Sequence, residues 1–264
     1  MFTMNIEVEL PSRRKMALTL LLVWLAWFVV NLAANGVYFI AAQGKPGLRL
    51  AGEVLYYAGV VITGVLIPWH LCRKWGLDIP LFPRKRTVWF WLGSLVFLML
   101  AVFLGIQAMA DQGMSMQAFL AQPVMRLIAP LPVFIPTMVA YTILWYGLML
   151  RGWERVFGGG RWATLAGILL SAVLYGMYHF ASVDEITTLQ GMLDEIIITT
   201  LIGIGFGIFV VLSRSLAAAF VINWILNLFV FSPLETFHPP IWQWPLGVIV
   251  LLVLWLVYRY RWLE

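Results

Sequence analysis

Two pairs of polar side chains in the C-terminal half of the chain have residue types and spacing that suit catalysis. Tyr175 and His179 are four residues apart in one apolar run, and Asn223 and Asn227 are four apart in a later run. On a helix this spacing places both members of a pair on one face. An imidazole accepts a proton near neutral pH, and amides donate hydrogen bonds to a developing oxyanion. Both pairs are therefore candidate functional residues.

A structural role explains polar residues of this kind equally well. Inside a membrane, amides and hydroxyls hydrogen-bond across helix interfaces and contribute about 0.6 kcal/mol each. We assign Asn31 and Asn35, four apart in the first apolar run, to this role. Gly203 and Gly207 have the spacing that lets two helix backbones approach closely. For His179 the alternative of a hydrogen-bonded core imidazole stays open.

The elements that carry these residues are apolar runs of helix length. The chain has 264 residues, of which 62% are hydrophobic and 11% charged, and its mean hydropathy is +0.92. Such a chain cannot present a polar surface to water on all sides. In hydrocarbon, backbone groups must bond within helices or a closed barrel, and these runs lack the alternation of barrel strands. We therefore predict an all-α, polytopic membrane protein with one membrane domain over residues 1–264.

Eight runs approach the ~20 residues that span a bilayer, so we expect about eight transmembrane helices. The runs are Lys15–Ala41, Glu53–Leu71, Thr87–Ala110, Val133–Leu150, Trp162–Phe180, Ile196–Leu212, Ser215–Phe231 and Pro245–Tyr258.

The basic residues predict the orientation of these runs. Fourteen of the 17 lysines and arginines fall in the N-terminus, the second, fourth and sixth loops, and the C-terminus. Because basic loops stay on the cytoplasmic side, we expect both termini to be cytoplasmic, in a bacterial inner membrane. The net charge of +5 comes from these basic loops, which anionic lipid attracts. It gives no reason to expect a nucleic-acid partner.

The predicted outer loop after His179 contains two acidic pairs, Asp184-Glu185 and Asp194-Glu195. Glu185 folding back toward His179 would supply a carboxylate to a catalytic site. The simpler interpretation, which we favour, is a solvated acidic loop that leads into the next helix.

The segments WYGLMLRGWERVFGGGRWATLAGILLSAVLYGMYHF and GIGFGIFVVLSRSLAAAFVINWILN resemble the CAAX-processing and bacteriocin-processing (CPBP, or Abi) intramembrane protease family, which includes lysostaphin-resistance-type proteins. The resemblance covers a core of about residues 133–231 and implies an eight-helix bundle. Family members carry paired glutamates followed by an arginine, usually with glycine next. They also carry an aromatic residue four before a histidine, and a histidine four before an asparagine. The matching residues are Arg151 with Gly152, Tyr175 with His179, and Asn227.

Three positions depart from the family pattern. Tyr146 and Gly147 stand where the paired glutamates belong, and Asn223 stands where the second-motif histidine belongs. The resemblance implies that a glutamate activates water in active members. A tyrosine is a poor base near neutral pH, and a glycine offers no group at all. One histidine and two amides also fall short of the three protein ligands typical of catalytic zinc, so we expect neither a metal nor another cofactor.

These departures favour a catalytically degenerate homologue, a pseudoenzyme that acts as a scaffold or regulator in the lipid bilayer. Its partner would be a membrane-embedded peptide, a prenyl-type lipid or a cell-envelope protein, by analogy with the family. The alternative is an active CAAX-type endopeptidase with a rearranged site around His179. In either case the catalytic or relict residues are His179, Asn223, Asn227, Tyr146, Arg151 and Tyr175. A transporter is disfavoured because the two halves lack corresponding interrupted helices.

Overall fold

A computed structural model of the chain describes residues 11–42, 46–77, 88–111, 131–181 and 189–231, and the single positions 113, 115 and 117. Every regular element within these residues is a helix, which confirms the all-α prediction. The α-helices are α1 (Arg13–Ala42), α2 (Pro46–Val61), α3 (Ile67–Lys74), α4 (Val88–Asp111), α5 (Leu131–Tyr141), α6 (Leu150–Val156), α7 (Arg161–His179), α8 (Leu189–Ser213) and α9 (Leu216–Phe231). Two π-helical segments join consecutive α-helices, π1 (Ile62–Leu66) between α2 and α3, and π2 (Thr142–Met149) between α5 and α6.

Five helical segments in the described part of the chain are long and apolar enough to cross a membrane. They are Arg13–Val37, Val54–Lys74, Phe90–Gln107, Arg161–His179 and Leu189–Ser213. Each falls on one of the predicted apolar runs, whereas the predicted run Pro245–Tyr258 lies outside the described residues. Large apolar side chains such as Leu18, Phe103 and Leu201 are exposed along these helices, as contact with lipid tails requires.

The described residues fall into two compact units. Unit 1 draws on Met1–Pro80 and Tyr141–Val211, and unit 2 on Leu81–Ala140 and Leu212–Glu264. In unit 1, α1 packs against α2 and α6, α7 packs against α6 and π2, and α3 packs against π2. In unit 2, α4 packs against α9.

Three side-chain hydrogen bonds fasten α1 to α7 within unit 1. The pairs are Trp24 Nε1 to the Leu174 carbonyl (3.0 Å), the Tyr178 hydroxyl to Asn31 Oδ1 (3.2 Å), and Asn35 Nδ2 to the Ala181 carbonyl. The residue numbers rise together along both helices, so α1 and α7 run parallel. The structural role predicted for Asn31 and Asn35 is confirmed, because both amides bond across this interface.

Small residues bring α7 and α8 into close contact. A Cβ added at Gly207 would lie 2.9 Å from Cγ2 of Ile168, and Gly203 lies against α7 in the same way. On the opposite side of the interface, a Cβ at Gly176 would lie 2.7 Å from the Ile196 carbonyl oxygen. The close packing predicted from the spacing of Gly203 and Gly207 is therefore confirmed.

A glycine turn and a carboxylate bridge form the hairpin between α6 and α7. Residues 158–160 are all glycines with positive φ, at +95°, +77° and +88°, a region that other residues rarely adopt. Glu154 accepts a hydrogen bond from Arg151 Nη1 at 2.8 Å and another from the Thr164 hydroxyl at 2.6 Å. The carboxylate thus joins the end of α6 to the start of α7.

The start of α8 differs from the prediction. The helix begins at Leu189, well before Ile196, so Asp194 and Glu195 lie within it and their predicted loop position is wrong. Gln190 Nε2 donates to Asp194 Oδ1 at 2.8 Å, a side-chain pair with the i, i+4 spacing that stabilises helices. Such pairs extend the helix beyond its apolar run, which hydropathy alone does not detect.

We expect Gly176→Ala to lower the free energy of unfolding by about 1–3 kcal/mol, because the new methyl group would force α7 away from α8. Gly36→Ala is the matched control, since a Cβ at Gly36 meets no atom within 4 Å. Unfolding in mixed micelles of increasing SDS content measures both variants. Equal stability of the two variants would contradict the packing described for α7 and α8.

Tyr178→Phe should lower the free energy of unfolding by about 0.6–1.7 kcal/mol, because it leaves Asn31 Oδ1 buried without its donor. The same SDS titration measures this loss. Tyr141→Phe is the comparison, because it keeps the bond between Tyr178 and Asn31 and should cost less. A Tyr178→Phe variant as stable as the unmodified protein would show that this bond does not hold α1 to α7.

Candidate functional site

Aromatic rings from α1, α5, π2 and α7 meet inside unit 1. We call this group the tyrosine cluster, and it consists of Trp27, Tyr141, Trp145, Tyr175 and Tyr178. Six ring pairs within it have centroid separations between 5.4 and 6.2 Å. Four of the six pairs are edge-to-face, an arrangement that places the positive edge of one ring against the negative face of another. The cluster therefore fixes the relative positions of the helices that meet there.

A directed chain of hydrogen bonds runs through the cluster. The Tyr178 hydroxyl donates to Asn31 Oδ1, and the Tyr141 hydroxyl lies 2.8 Å from the Tyr178 oxygen. Since a hydroxyl has one proton and Tyr178 gives it to Asn31, Tyr141 must be the donor in the second bond. Asn31 Nδ2 in turn donates to the Trp27 carbonyl at 2.8 Å. The chain therefore runs from Tyr141 through Tyr178 and Asn31 and ends on a backbone oxygen, which can only accept.

His179 is the last residue of α7 and lies beside this cluster. Its Nδ1 is 3.0 Å from the Tyr175 carbonyl oxygen, which can only accept, so Nδ1 carries a proton. The imidazole lies edge-on to the Tyr175 ring at a centroid distance of 4.7 Å and is 5.2 Å from the Tyr178 ring. The structure thus brings Tyr175 and His179 together, as their spacing predicts. In the neutral ring Nε2 holds the basic lone pair.

Tyr146 points to a different neighbour from the other tyrosines. It lies with Gly147 in π2, where every residue is buried, and its ring centroid is 5.8 Å from that of Phe206 on α8. The extra residue in a π-helical turn changes the direction in which successive side chains point, and such turns are frequent at functional sites. Tyr146 and Gly147, which match the positions of the paired glutamates, therefore lie in a buried π-helical segment that contacts both α7 and α8.

A small cavity lies next to Tyr146. Its lining includes Trp145, Tyr146, Ser171, Ala172 and Tyr175, with Gly203 of α8 on the facing side. About 10 Å³ of it can hold the centre of a water molecule, which is roughly the space that one water needs. The cavity is too small for a peptide chain.

Arg151 and Gly152, the residues that match the end of the first family motif, have structural contacts of their own. Arg151 pairs with Glu154 in the α6–α7 hairpin, with 18% of its side chain exposed. A Cβ at Gly152 would lie 2.8 Å from Cδ2 of Leu20, so this glycine lets α6 approach α1 closely. Both residues therefore support the packing of unit 1 whether or not the protein hydrolyses anything.

The two asparagines of the third motif lie on α9, in unit 2. Asn223 is buried, with 5% of its surface exposed, whereas the side chain of Asn227 lies outside the described residues. Convergence of these asparagines with His179 stays a prediction.

The acidic residues after His179 have separate environments. Asp184 and Glu185 lie outside the described residues. Asp194 is exposed on α8, whereas Glu195 is partly buried. The prediction that Glu195 belongs to a solvated loop is wrong because Glu195 lies within α8.

Trp27, Tyr141 and Trp145 are site residues that the sequence analysis did not identify. Each has only a weak signal in the sequence, namely the four-residue spacing from Trp27 to Asn31 and from Tyr141 to Trp145. Aromatic residues at such spacing are common in apolar helices, so only their contacts with α7 distinguish them.

Several side chains around the cavity and the end of α7 carry groups that could take part in chemistry. His179 supplies the base, and Tyr146, Ser171 and Tyr175 supply hydroxyls near the cavity. Among the described residues, no three histidines, cysteines or acidic residues lie close enough together to hold a metal ion.

The family is identified by a direct comparison. No curated protein and no solved structure matches the chain. A sequence model of the family described as type II CAAX prenyl endopeptidase Rce1-like matches residues 93–229, which is just over half of the chain. This segment contains Tyr146, Arg151, His179 and Asn223. The protein therefore belongs to the Rce1-like family of type II CAAX prenyl endopeptidases, within the CPBP intramembrane protease family, and is an integral membrane protein.

Proposed function

We propose that the protein is a catalytically degenerate member of this family. It would bind a membrane-embedded peptide, a prenyl-type lipid or a cell-envelope protein, as a scaffold or regulator. The observation that carries the proposal is the environment of Tyr146 and Gly147. They replace the paired glutamates, they are buried in π2, and the cavity beside Tyr146 has room for about one water.

Peptide hydrolysis requires a base, a water and space for the scissile carbonyl in contact with both. Tyr146 is a poor base, and the water-sized cavity leaves no space for a carbonyl group. The hydroxyls of Tyr141 and Tyr178 are engaged in the hydrogen-bond chain that ends at Trp27. The arrangement favours a rigid core whose outer surface makes contacts, rather than a core that turns over substrate.

A second candidate is an endopeptidase whose base is His179. One observation favours it: Nδ1 donates to the Tyr175 carbonyl, which orients the ring and puts the basic lone pair on Nε2. A base held in this way by a backbone oxygen is a common feature of acid–base catalysts. Asn223 and Asn227 would then be the oxyanion donors.

Our proposal also includes the membrane topology, with eight spans and both termini on the cytoplasmic side of a bacterial inner membrane. One contact supports it. The Arg13 guanidinium group is 3.1 Å from the point where a Cβ of Gly158 would lie. The basic start of α1 and the basic α6–α7 hairpin are therefore at the same end of unit 1, as the positive-inside rule requires.

We expect no cleavage when the purified protein is offered a farnesylated CAAX peptide, because no carboxylate base is available at position 146 or 147. Mass spectrometry of the peptide measures the outcome, with an active CAAX endopeptidase as the positive control and the His179→Ala variant in parallel. Cleavage that is lost in His179→Ala would overturn the proposal and establish the second candidate. A photoreactive version of the same peptide tests binding, and it should label the unmodified protein and His179→Ala equally.

The proposed topology predicts which positions a membrane-impermeant thiol reagent reaches. In a Cys72→Ala background, Ser12→Cys and Arg155→Cys should react only after the bacterial inner membrane is opened. Leu189→Cys should react in spheroplasts, because the start of α8 would face the periplasm. All three positions are exposed in the structure. Labelling of Ser12→Cys and Arg155→Cys from opposite sides would contradict the shared end of α1 and the hairpin.

A further inference from the structure

The indole N–H of Trp145 is a buried donor that needs a partner. The side chain belongs to π2 and is 1% exposed. Among the described residues, Nε1 has no hydrogen-bond acceptor. A buried polar group without a partner is costly, and such groups in native proteins usually bond to an ordered water.

Trp145 also lines the cavity next to Tyr146. The space there suits one water, and three further residues of the lining, Tyr146, Ser171 and Tyr175, carry hydroxyl groups. The Ser171 hydroxyl donates its proton to the Gly167 carbonyl, so its oxygen is left as an acceptor. Tyrosine hydroxyls both donate and accept.

We propose that this cavity binds one internal water, which accepts a hydrogen bond from the Trp145 indole and is shared with the hydroxyls of Tyr146, Ser171 and Tyr175. Internal waters typically make about three hydrogen bonds, and the four polar side chains of this lining are enough to supply them. The water would join π2 to α7 where the backbone of π2 departs from α-helical geometry. The proposal concerns an occupant of the core and does not depend on whether the protein binds or cleaves a peptide.

The chemistry of the lining selects water over other occupants. A cation would meet the donor N–H of Trp145, and the lining includes no acidic side chain. An apolar molecule of this size would leave the indole donor unpaired. A water both accepts from the indole and donates to the Ser171 oxygen.

Hydroxyl-radical footprinting of the full-length protein in detergent micelles tests the proposal, because radiolysis of a bound water modifies the side chains that touch it. We expect Tyr146 to be modified several-fold faster than Tyr178. Both are buried, with 5% and 1% exposed, but only Tyr146 lines the cavity. Equal, slow modification of the two tyrosines in the unmodified protein would show that the cavity is dry and would overturn the proposal.

A cavity-filling variant supplies the second arm of the experiment. Ala172→Val adds two methyl groups to the lining, so modification of Tyr146 should fall to the rate of Tyr178. Ala166→Val is the matched control, because residue 166 lies on the same helix, is partly exposed and does not line the cavity. Fast modification of Tyr146 that persists in a folded Ala172→Val protein would overturn the proposal. If that variant does not fold, the comparison of Tyr146 with Tyr178 in the unmodified protein decides.

Discussion

Polar groups that enter hydrocarbon must find their partners inside the protein, and this requirement determines how α1 and α7 are joined. Trp24, Asn31 and Asn35 form a polar stripe on α1, and each has its partner on or just beyond α7. Because the two helices are parallel and held at three levels, the C-terminal end of α7 lies beside Asn31 and Asn35 of α1. The tyrosine cluster lies against this pair of helices, with Trp145 contributed by π2 and Tyr141 by α5.

The contact between α7 and α8 is the second major contact of unit 1, and it depends on glycine residues. Gly176, Gly203 and Gly207 let α8 approach α7 so closely that an added methyl group would meet backbone or packed side-chain atoms. This approach leaves only a water-sized space next to Tyr146. The polar interface with α1 and the small-residue interface with α8 therefore enclose α7 from two sides.

The same contacts give a structural role to the residues that match the end of the first family motif. Arg151 is held by Glu154 and Gly152 by the proximity of Leu20, so both residues have a structural function. Tyr146 and Gly147, at the positions that match the start of that motif, are buried in π2, where the Tyr146 ring packs against Phe206. A fold can thus keep the end of a catalytic motif for packing while its beginning changes, which agrees with the proposed degenerate role.

Much of the fold follows from the sequence because helices in hydrocarbon are stabilised locally, by bonds within one apolar segment. Hydropathy located the five membrane-spanning segments of the described residues, and residue spacing predicted the roles of Asn31, Asn35, Gly203 and Gly207. The start of α8 was missed because Gln190 and Asp194 stabilise a turn that hydropathy does not register. The tyrosine cluster and the orphan donor of Trp145 were decided only by the tertiary structure. Each depends on contacts between residues far apart in the chain, and no local pattern encodes which faces of two helices will meet.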